Sequence, residues 1–547
     1  MIQAHPATST PETAQIFHSH RPVEAESHVV TSGSFWRAWS WWLPPAATSL
    51  GLVLYFLDPF IGDWDGLEYT MYSLWGYPSS MALGRNLFIF GNHILWLISH
   101  SLFKLPADQA YLLFKFAVVV QAPLAVIACW ILARDFTRSL YSATVAALFV
   151  TFSPVFVLYG GQVMTDVPSV LLVATALIIH FRGIQQHNVA KVLIGAALLG
   201  LGVNLRETVG FYLPWLVAAP FVCGWQLKRR DVLLILLSCA VFVLLASAWF
   251  GYWFLTDPHY RFVWAGWRES MREESARHPV AIGNLTPYLL YLAISAPLVF
   301  LTIPFAPIKE WTTKRLSPLL FLWLVGLLAN ALLFFNYSTT VNWRYFLTGL
   351  PALAPLSADY LIRTLTKRYG SVGFAFRCCI GVILVVAVAF GIYMKPISEE
   401  FVQKRAMTKD YIHELVKLPK NAVMISGAQT IAVKYWAGIG DGDWAAIGTG
   451  GGFLGDKLVP TIQDHLNHGE RVFLDADPRW WSPCGWQREE IPTIVDLENQ
   501  FALKRTTDTI YELRPLGEAI PGDVANLKRL LPENRPDDLK RCPPGRG

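Results

Sequence analysis

The sequence predicts a polytopic α-helical membrane protein with about eleven transmembrane helices and a C-terminal soluble α/β domain. Three observations carry this. Of 547 residues, 53% are hydrophobic and 16% charged, at a mean hydropathy of +0.37; soluble domains carry about 25% charge. Apolar runs of about 20 residues, enough to cross a bilayer as helix, recur between Arg37 and Met394. Past Met394 the pattern shifts to short alternating and amphipathic stretches. The net charge of +5 points to no nucleic-acid partner, because the basic residues sit mostly in short loops where the positive-inside rule accounts for them.

Residues 1–36 are rich in Ser, Thr, Pro, Glu and His without apolar period, and read as a disordered cytoplasmic tail. No charged-then-apolar segment opens the chain, so no cleaved targeting peptide is expected. A membrane domain is expected over 37–394, with spans near 39–60, 109–133, 139–160, 167–182, 189–204, 208–226, 231–255, 284–308, 317–336, 345–364 and 371–394. Arg37, Arg134 with Arg138, Arg182 with Lys191, Lys228 to Arg230, Lys309 with Lys314 and Arg315, and Arg363 with Lys367 and Arg368 fall in alternate loops. Those loops are therefore cytoplasmic. Loop 61–108, with helices lying in the interface, the Thr165–Asp166 turn, residues 204–207, loop 256–283 and residues 336–344 share the opposite, external face. That face is periplasmic if the membrane is the inner membrane of a bacterium. Loop 256–283 alternates Arg and Glu, with Glu269–Arg272 and Glu274–Arg277 at i,i+3, as in a short interfacial helix. Residues 395–515 read as an external α/β domain: helical DYIHELVKL and TIQDHLNHG, strand-like NAVMISG, RVFLDAD and TIYELRP. Residues 516–547 form a loose tail.

Cys129, Cys223, Cys239, Cys378 and Cys379 lie in or beside apolar spans, as small buried hydrophobes do. Cys484 and Cys542 lie in the polar C-terminal region and pair only if that region is oxidised and brings them together. No metal-spaced Cys or His pattern occurs. The glycines of AIGTGGGFLG lack a following Lys-Ser or Lys-Thr, and GDGDW lacks the rest of a calcium loop, so both read as turns.

The candidate chemistry lies on the external side. Asp63, Asp65 and Glu68 follow the first span among Trp64, Tyr69, Tyr72, Trp75 and Tyr77, at a depth where ionisable groups are solvated, paired or used. Asp65 and Tyr69 are one helical turn apart and share a face. Asp166 precedes Pro168 at the entry of a span, where it either caps the helix or faces a substrate. Arg206 with Glu207, and Arg344 with Tyr345, open further spans; such an Arg either snorkels to headgroups or, with a second on the same face, holds a phosphate. His93 is either a sugar contact or a structural histidine.

The order DWDGLEY, SPVFVLYGGQVMTDVPSVLL, GLGVNLRETVGFYLPWL and NWRYFLTGLPALAPL resembles that of the GT-C class of multi-span glycosyltransferases, near the protein O-mannosyltransferase and aminoarabinose transferase families. Relatives often carry an Asp-Glu pair in the first loop; here Gly66 follows Asp65, and LGRNLFIFGNHILW stands where a Pro-rich or His-Pro segment is usual. The resemblance implies transfer of a sugar from a polyprenyl-phosphate donor held in membrane lipid to a hydroxyl acceptor. It implies Asp65, with Asp63 as rival, as the catalytic base, and Arg206 and Arg344 on the donor phosphate. Asp166, Glu68, Tyr69, His93, Glu207 and Tyr345 become candidate substrate contacts. No cofactor is implied; a divalent cation differs between related families and no ligand cluster here decides it. The competing reading is a transporter or lipid flippase, against which stand the absence of matched broken-helix repeats and acids placed at one interface.

Overall fold

The computed structural model describes residues 38–57, 64–79, 82–226, 228–277, 285–307, 316–331, 343–415, 417–427, 445–448, 455–481, 483, 486–517 and 526–540. Each apolar segment expected to span the membrane contains a helix. Four described helical segments are long and apolar enough to cross a bilayer: Ala107–Thr137, Asp166–Gln185, Arg229–Thr256 and Val372–Pro396. The expected count of about eleven spans goes beyond these four.

Helix α1 (Trp39–Tyr55) leads to α2 (Trp64–Trp75) and α3 (Asn86–Phe103), which fill the expected first loop. The long α4 (Ala110–Thr137) follows. The next segment, expected as one span, is two helices, α5 (Leu140–Thr151) and α6 (Pro154–Gly160), bent by 63°. Pro154 has no N–H to continue the ladder, and Ser153 Oγ accepts from Phe156 N at 3.3 Å, starting a new helix. Helix α7 (Asp166–Gln185) packs on α8 (Val189–Val203), and α8 on α10 (Arg229–Thr256), with α9 (Leu213–Val222) between them in sequence. Two glycines allow this approach. A Cβ on Gly195 would stand 2.5 Å from His180 Cβ, and one on Gly200 would stand 2.6 Å from the Phe242 carbonyl oxygen.

Asp257 starts α11 (Pro258–Arg277) by accepting from His259 N at 2.8 Å. The expected Glu269–Arg272 contact is present at 3.8 Å, between well-exposed side chains, so it contributes little. Ala296 separates α12 (Leu285–Ser295) from α13 (Pro297–Phe300) where one span was expected; Pro297 is again the break. Then come α14 (Pro318–Ala331), α15 (Leu350–Tyr369), and α16 (Val372–Leu415) of 44 residues. Leu233, Leu236 and Leu244 on α10, and Val382, Val385 and Val388 on α16, are exposed. Apolar faces of that extent need lipid around them. The protein is an integral membrane protein.

Helix α16 passes through the change of composition at Met394 and ends at Leu415, so the DYIHEL of DYIHELVKL is its end and not a separate helix. Beyond it lies a five-stranded sheet among the described residues, ordered β2-β1-β3-β5-β4. Strands β1 (Ala422–Ser426), β2 (Ala445–Gly448) and β3 (Arg471–Asp475) are parallel. Strand β4 (Phe501–Arg505) pairs antiparallel with β5 (Ile510–Pro515), which also lies antiparallel to β3. Helix α17 (Leu458–Asn467) precedes β3 and α18 (Trp486–Gln500) follows it. From Trp42 onward the described residues form one compact unit.

Candidate active site

Three backbone anchors assemble the candidate residues. Leu87 N donates to the Asn204 carbonyl at 3.1 Å, and Asn204 Nδ2 donates to the Leu245 carbonyl at 2.7 Å. These tie the start of α3 to the end of α8 and to α10. Tyr212 Oη donates to the Thr348 carbonyl at 2.8 Å, and the Thr208 and Thr348 hydroxyls meet at 2.9 Å. The 3₁₀ turns Glu207–Tyr212 and Trp343–Gly349 are thereby held together.

On this frame Arg344 Nη2 donates to Asp65 Oδ2 at 2.6 Å, and its Nη1 lies 3.4 Å from Met164 Sδ. Asp65 sits in the first turn of α2, and Gly66 beside it lets Tyr111 Oη stand 3.1 Å from where a Cβ would be. Arg206 Nη1 pairs with Asp166 Oδ1 at 2.5 Å, both side chains fully buried, and donates to Thr165 Oγ1 at 3.3 Å. The Tyr345 ring lies 4.3 Å from the Arg206 guanidinium and 5.8 Å from that of Arg344, while Tyr159 lies 5.7 Å from Arg344. A third pair, Arg85 with Glu207, completes the row.

The fields of these groups overlap. Burial opposes the Arg344 charge, but Asp65 and Asp166 outweigh it and hold the guanidinium firmly protonated. Burial likewise opposes Glu207 ionisation, yet Arg85 and Arg206 keep its carboxyl below the usual range. The Tyr69 phenol, buried beside Arg85, Asp65 and Arg344, is pushed up, chiefly by burial. Tyr72 is pushed up to about 12, by burial and then by Glu68. Glu68 is itself buried. Three guanidiniums thus face the carboxylates of Asp65, Asp166 and Glu207, with Tyr69 and Tyr345 among them.

Asp65, Asp166, Arg206, Arg344, Glu207, Tyr69 and Tyr345 are therefore brought together. Asp63 lies outside the described residues. His93 serves elsewhere: its Nδ1 contacts the Ser73 carbonyl at 2.7 Å and its ring packs against Gly76, at φ +63°, pinning the turn that leaves α2. Asp166 does not cap α7. Thr165 holds the cap position without a side-chain bond, and the Asp166 carboxylate is turned to Arg206 instead. The sequence reading passed over Arg85, a buried cation at φ +49° that opens α3. Its signal was an arginine embedded in the apolar run MALGRNLFIF. Among the described residues no group of three or more His, Cys, Asp or Glu side chains is placed to hold a metal ion.

Beside the row, Leu201 of α8 and Leu245, Ala248, Trp249 and Tyr252 of α10 line an apolar groove. It borders the helix end that carries Asn204 and, two residues on, Arg206.

Residues 91–253 match the family described as dolichyl-phosphate-mannose-protein mannosyltransferase. No curated protein matches the chain. Among solved structures, ArnT from Cupriavidus metallidurans, determined bound to undecaprenyl phosphate, aligns over 88% of this chain and 100% of its own, at 14% identity and a TM-score of 0.56. The Archaeoglobus fulgidus oligosaccharyltransferase, determined in complex with Zn and sulfate, aligns over 88% of this chain and 74% of its own, at 10% identity and a TM-score of 0.53. At such identities the likeness is one of fold, and the family match falls on the stretch from α3 to α10 that carries Asp166, Arg206 and Glu207. The chain has the fold of the GT-C class glycosyltransferases.

Proposed function

We propose that this protein is a glycosyltransferase that moves a sugar from a polyprenyl-phosphate donor to a hydroxyl acceptor on the external face of the membrane, inverting the anomeric centre. The observation that carries the reading is the Asp65–Arg344 pair at 2.6 Å, set among two further Arg–carboxylate pairs. Such a row offers guanidiniums to a phosphate and a carboxylate to a hydroxyl within one site. The apolar groove of Leu201, Leu245, Ala248, Trp249 and Tyr252 suits an isoprenoid chain whose phosphate ends near Arg206.

In this mechanism the donor phosphate competes with Asp65 for Arg344. Its arrival satisfies the guanidinium and releases the carboxylate to accept the acceptor hydroxyl's proton. The hydroxyl oxygen attacks the anomeric carbon while the bond to the phosphate oxygen breaks, and Arg344, Arg206 and Arg85 meet the charge growing on that oxygen. One such base contributes about 10²–10⁴-fold, and one electrostatic donor about 10²–10³-fold. The setting we assign is a bacterial inner membrane, with the row and the domain at 395–515 periplasmic and the catalytic region within 37–394. Radiolabelled polyprenyl-phosphate sugar tests the reading. Release of polyprenyl phosphate with label on an acceptor supports it, and vesicle uptake of intact donor without bond cleavage replaces it with transport.

A further inference from the structure

Arg85 reaches Glu207 only because the turn Ala82–Arg85 takes an unusual backbone path. Leu83, Gly84 and Arg85 follow one another at φ +53°, +73° and +49°, all left-handed. Gly84 takes that conformation freely, but Leu83 and Arg85 each carry a Cβ that opposes it. Such residues persist only where their surroundings over-determine them. Two bonds within the segment contribute: the Gly84 carbonyl accepts from Ser79 N and the Leu83 carbonyl from Asn86 Nδ2, both at 2.9 Å.

The rest of the support comes from the start of α11. Tyr260 is 1% exposed, and its Oη stands 3.0 Å from where a Cβ on Gly84 would be, with Pro78 Cβ 2.9 Å from the same point. The turn is thus wedged between Pro78 and the Tyr260 hydroxyl. Tyr260 is fixed in turn by Asp257, whose Oδ1 accepts from His259 N at 2.8 Å and from Tyr260 N at 3.3 Å. The other oxygen, Oδ2, accepts from Tyr77 Oη at 2.7 Å, 180 positions away. Tyr77 lies in the segment between α2 and the turn, and its ring meets Trp253 of α10 edge-on, with centroids 5.3 Å apart. The Tyr77 hydroxyl, ahead of the two backbone N–H groups, holds the Asp257 carboxyl below the usual range. The carboxylate is therefore ionised and its bonds are charge-assisted. One side chain outside the row thus clamps α11 to the segment that leads into Arg85.

We propose that Asp257, Tyr77 and Tyr260 are positioning residues that hold Arg85 in its left-handed turn, presented to the donor phosphate. The phosphate as target rests on the sugar-transfer reading. The probe is a polyprenyl phosphate alone, titrated into nanodiscs carrying the full chain and followed by phosphorus NMR. Asp257→Ala is expected to weaken its binding at least about 10-fold, as loss of a charge-assisted contact does. Asp257→Asn, which can accept from the α11 N–H groups and donate to the Tyr77 hydroxyl, should restore most of it. Gly84→Ala, which forces a Cβ onto Tyr260 Oη, should resemble Asp257→Ala. Arg85→Met should weaken binding too, and the Asp257→Ala, Arg85→Met double variant no further, because residues acting through one contact are not additive. Should Arg85→Met not fold, Arg85→Gln takes its place in the cycle. Wild-type binding in Asp257→Ala, or losses that multiply in the double variant, overturn the proposal, the second by making Asp257 merely structural. Absence of binding in wild type also overturns it, while release from labelled donor still decides the transfer reading. A protein that binds polyprenyl phosphate through Arg85 but releases none from labelled donor defeats the transfer reading and leaves the positioning standing.

Discussion

Asp65 and Asp166 are each bound to one arginine, but their surroundings differ, and so do the expected consequences of changing them. The Asp65 and Arg344 side chains retain 14% and 16% exposure, against 1% and 2% for Asp166 and Arg206. A partly exposed pair can open for substrate; in the sealed one Asp166 fixes Arg206, which acts on the phosphate charge from its buried place without parting from its partner. Asp65→Asn should therefore lower transfer by about 10²–10⁴-fold with thermal unfolding close to wild type, as measured by labelled donor turnover and differential scanning fluorimetry. Asp166→Ala leaves the Arg206 charge buried without a partner and should cost about 3–5 kcal/mol, seen as a lower unfolding temperature and lower yield. If both variants lose turnover with unchanged stability, the division of labour fails and Asp166 moves into the chemistry. At this scale the candidates Asp65, Asp166, Arg206 and Arg344, which the structure pairs, were legible in the sequence, because an acid or arginine at the edge of an apolar run needs a reason to be there. Arg85 was passed over because its partner, Glu207, lies 122 positions away, and no local pattern links them.

Elements were legible wherever hydrophobic period decides them, and illegible where a single residue interrupts it. Composition alone cannot show that Ser153 and Pro154 turn one apolar run into two helices bent by 63°, because both halves remain apolar. Short strands β2 and β4 escaped for a related reason: AAIG and FALKR carry weak alternation, and their pairing with β1 and β5 supplies what propensity does not. Helix α18 carries a different consequence of folding. Its Glu490 is 3% exposed with no partner for Oε2, and burial, with Glu489 adding to it, pushes the carboxyl up to about 8. The folded pKa thus lies above the unfolded value of 4.5, so the folded state holds the proton more tightly. Stability is greatest below the unfolded value and declines as pH rises through the window up to about 8. Hydrogen exchange of residues 486–500, corrected for intrinsic rate, should show protection falling over that window, and Glu490→Gln should flatten the fall. A slope unchanged by Glu490→Gln would assign it to another group.

At the scale of the whole molecule, α16 determines how membrane and sheet are related. Its first 25 residues, Val372–Pro396, form an apolar span, and at 1.5 Å per residue they cover roughly 37 Å, more than a hydrocarbon core of about 30 Å. The same helix continues without a break to Leu415, where Tyr411 packs on Trp480 with ring centroids 5.3 Å apart. A continuous helix leaves little freedom for the sheet to cross back, so the sheet belongs to the side on which α16 emerges. The basic residues Arg363, Lys367 and Arg368 precede the span; on the orientation we propose from the positive-inside rule, its start is cytoplasmic and the sheet lies outside, on the side proposed for Asp65. In a cysteine-free background, Lys420→Cys beside β1 should react with a membrane-impermeant maleimide in intact spheroplasts. Arg230→Cys, exposed at the start of α10, should react only after permeabilisation. The reverse labelling would put the sheet and the basic loops on exchanged sides, and a hydroxyl acceptor would then have to be sought in the cytoplasm.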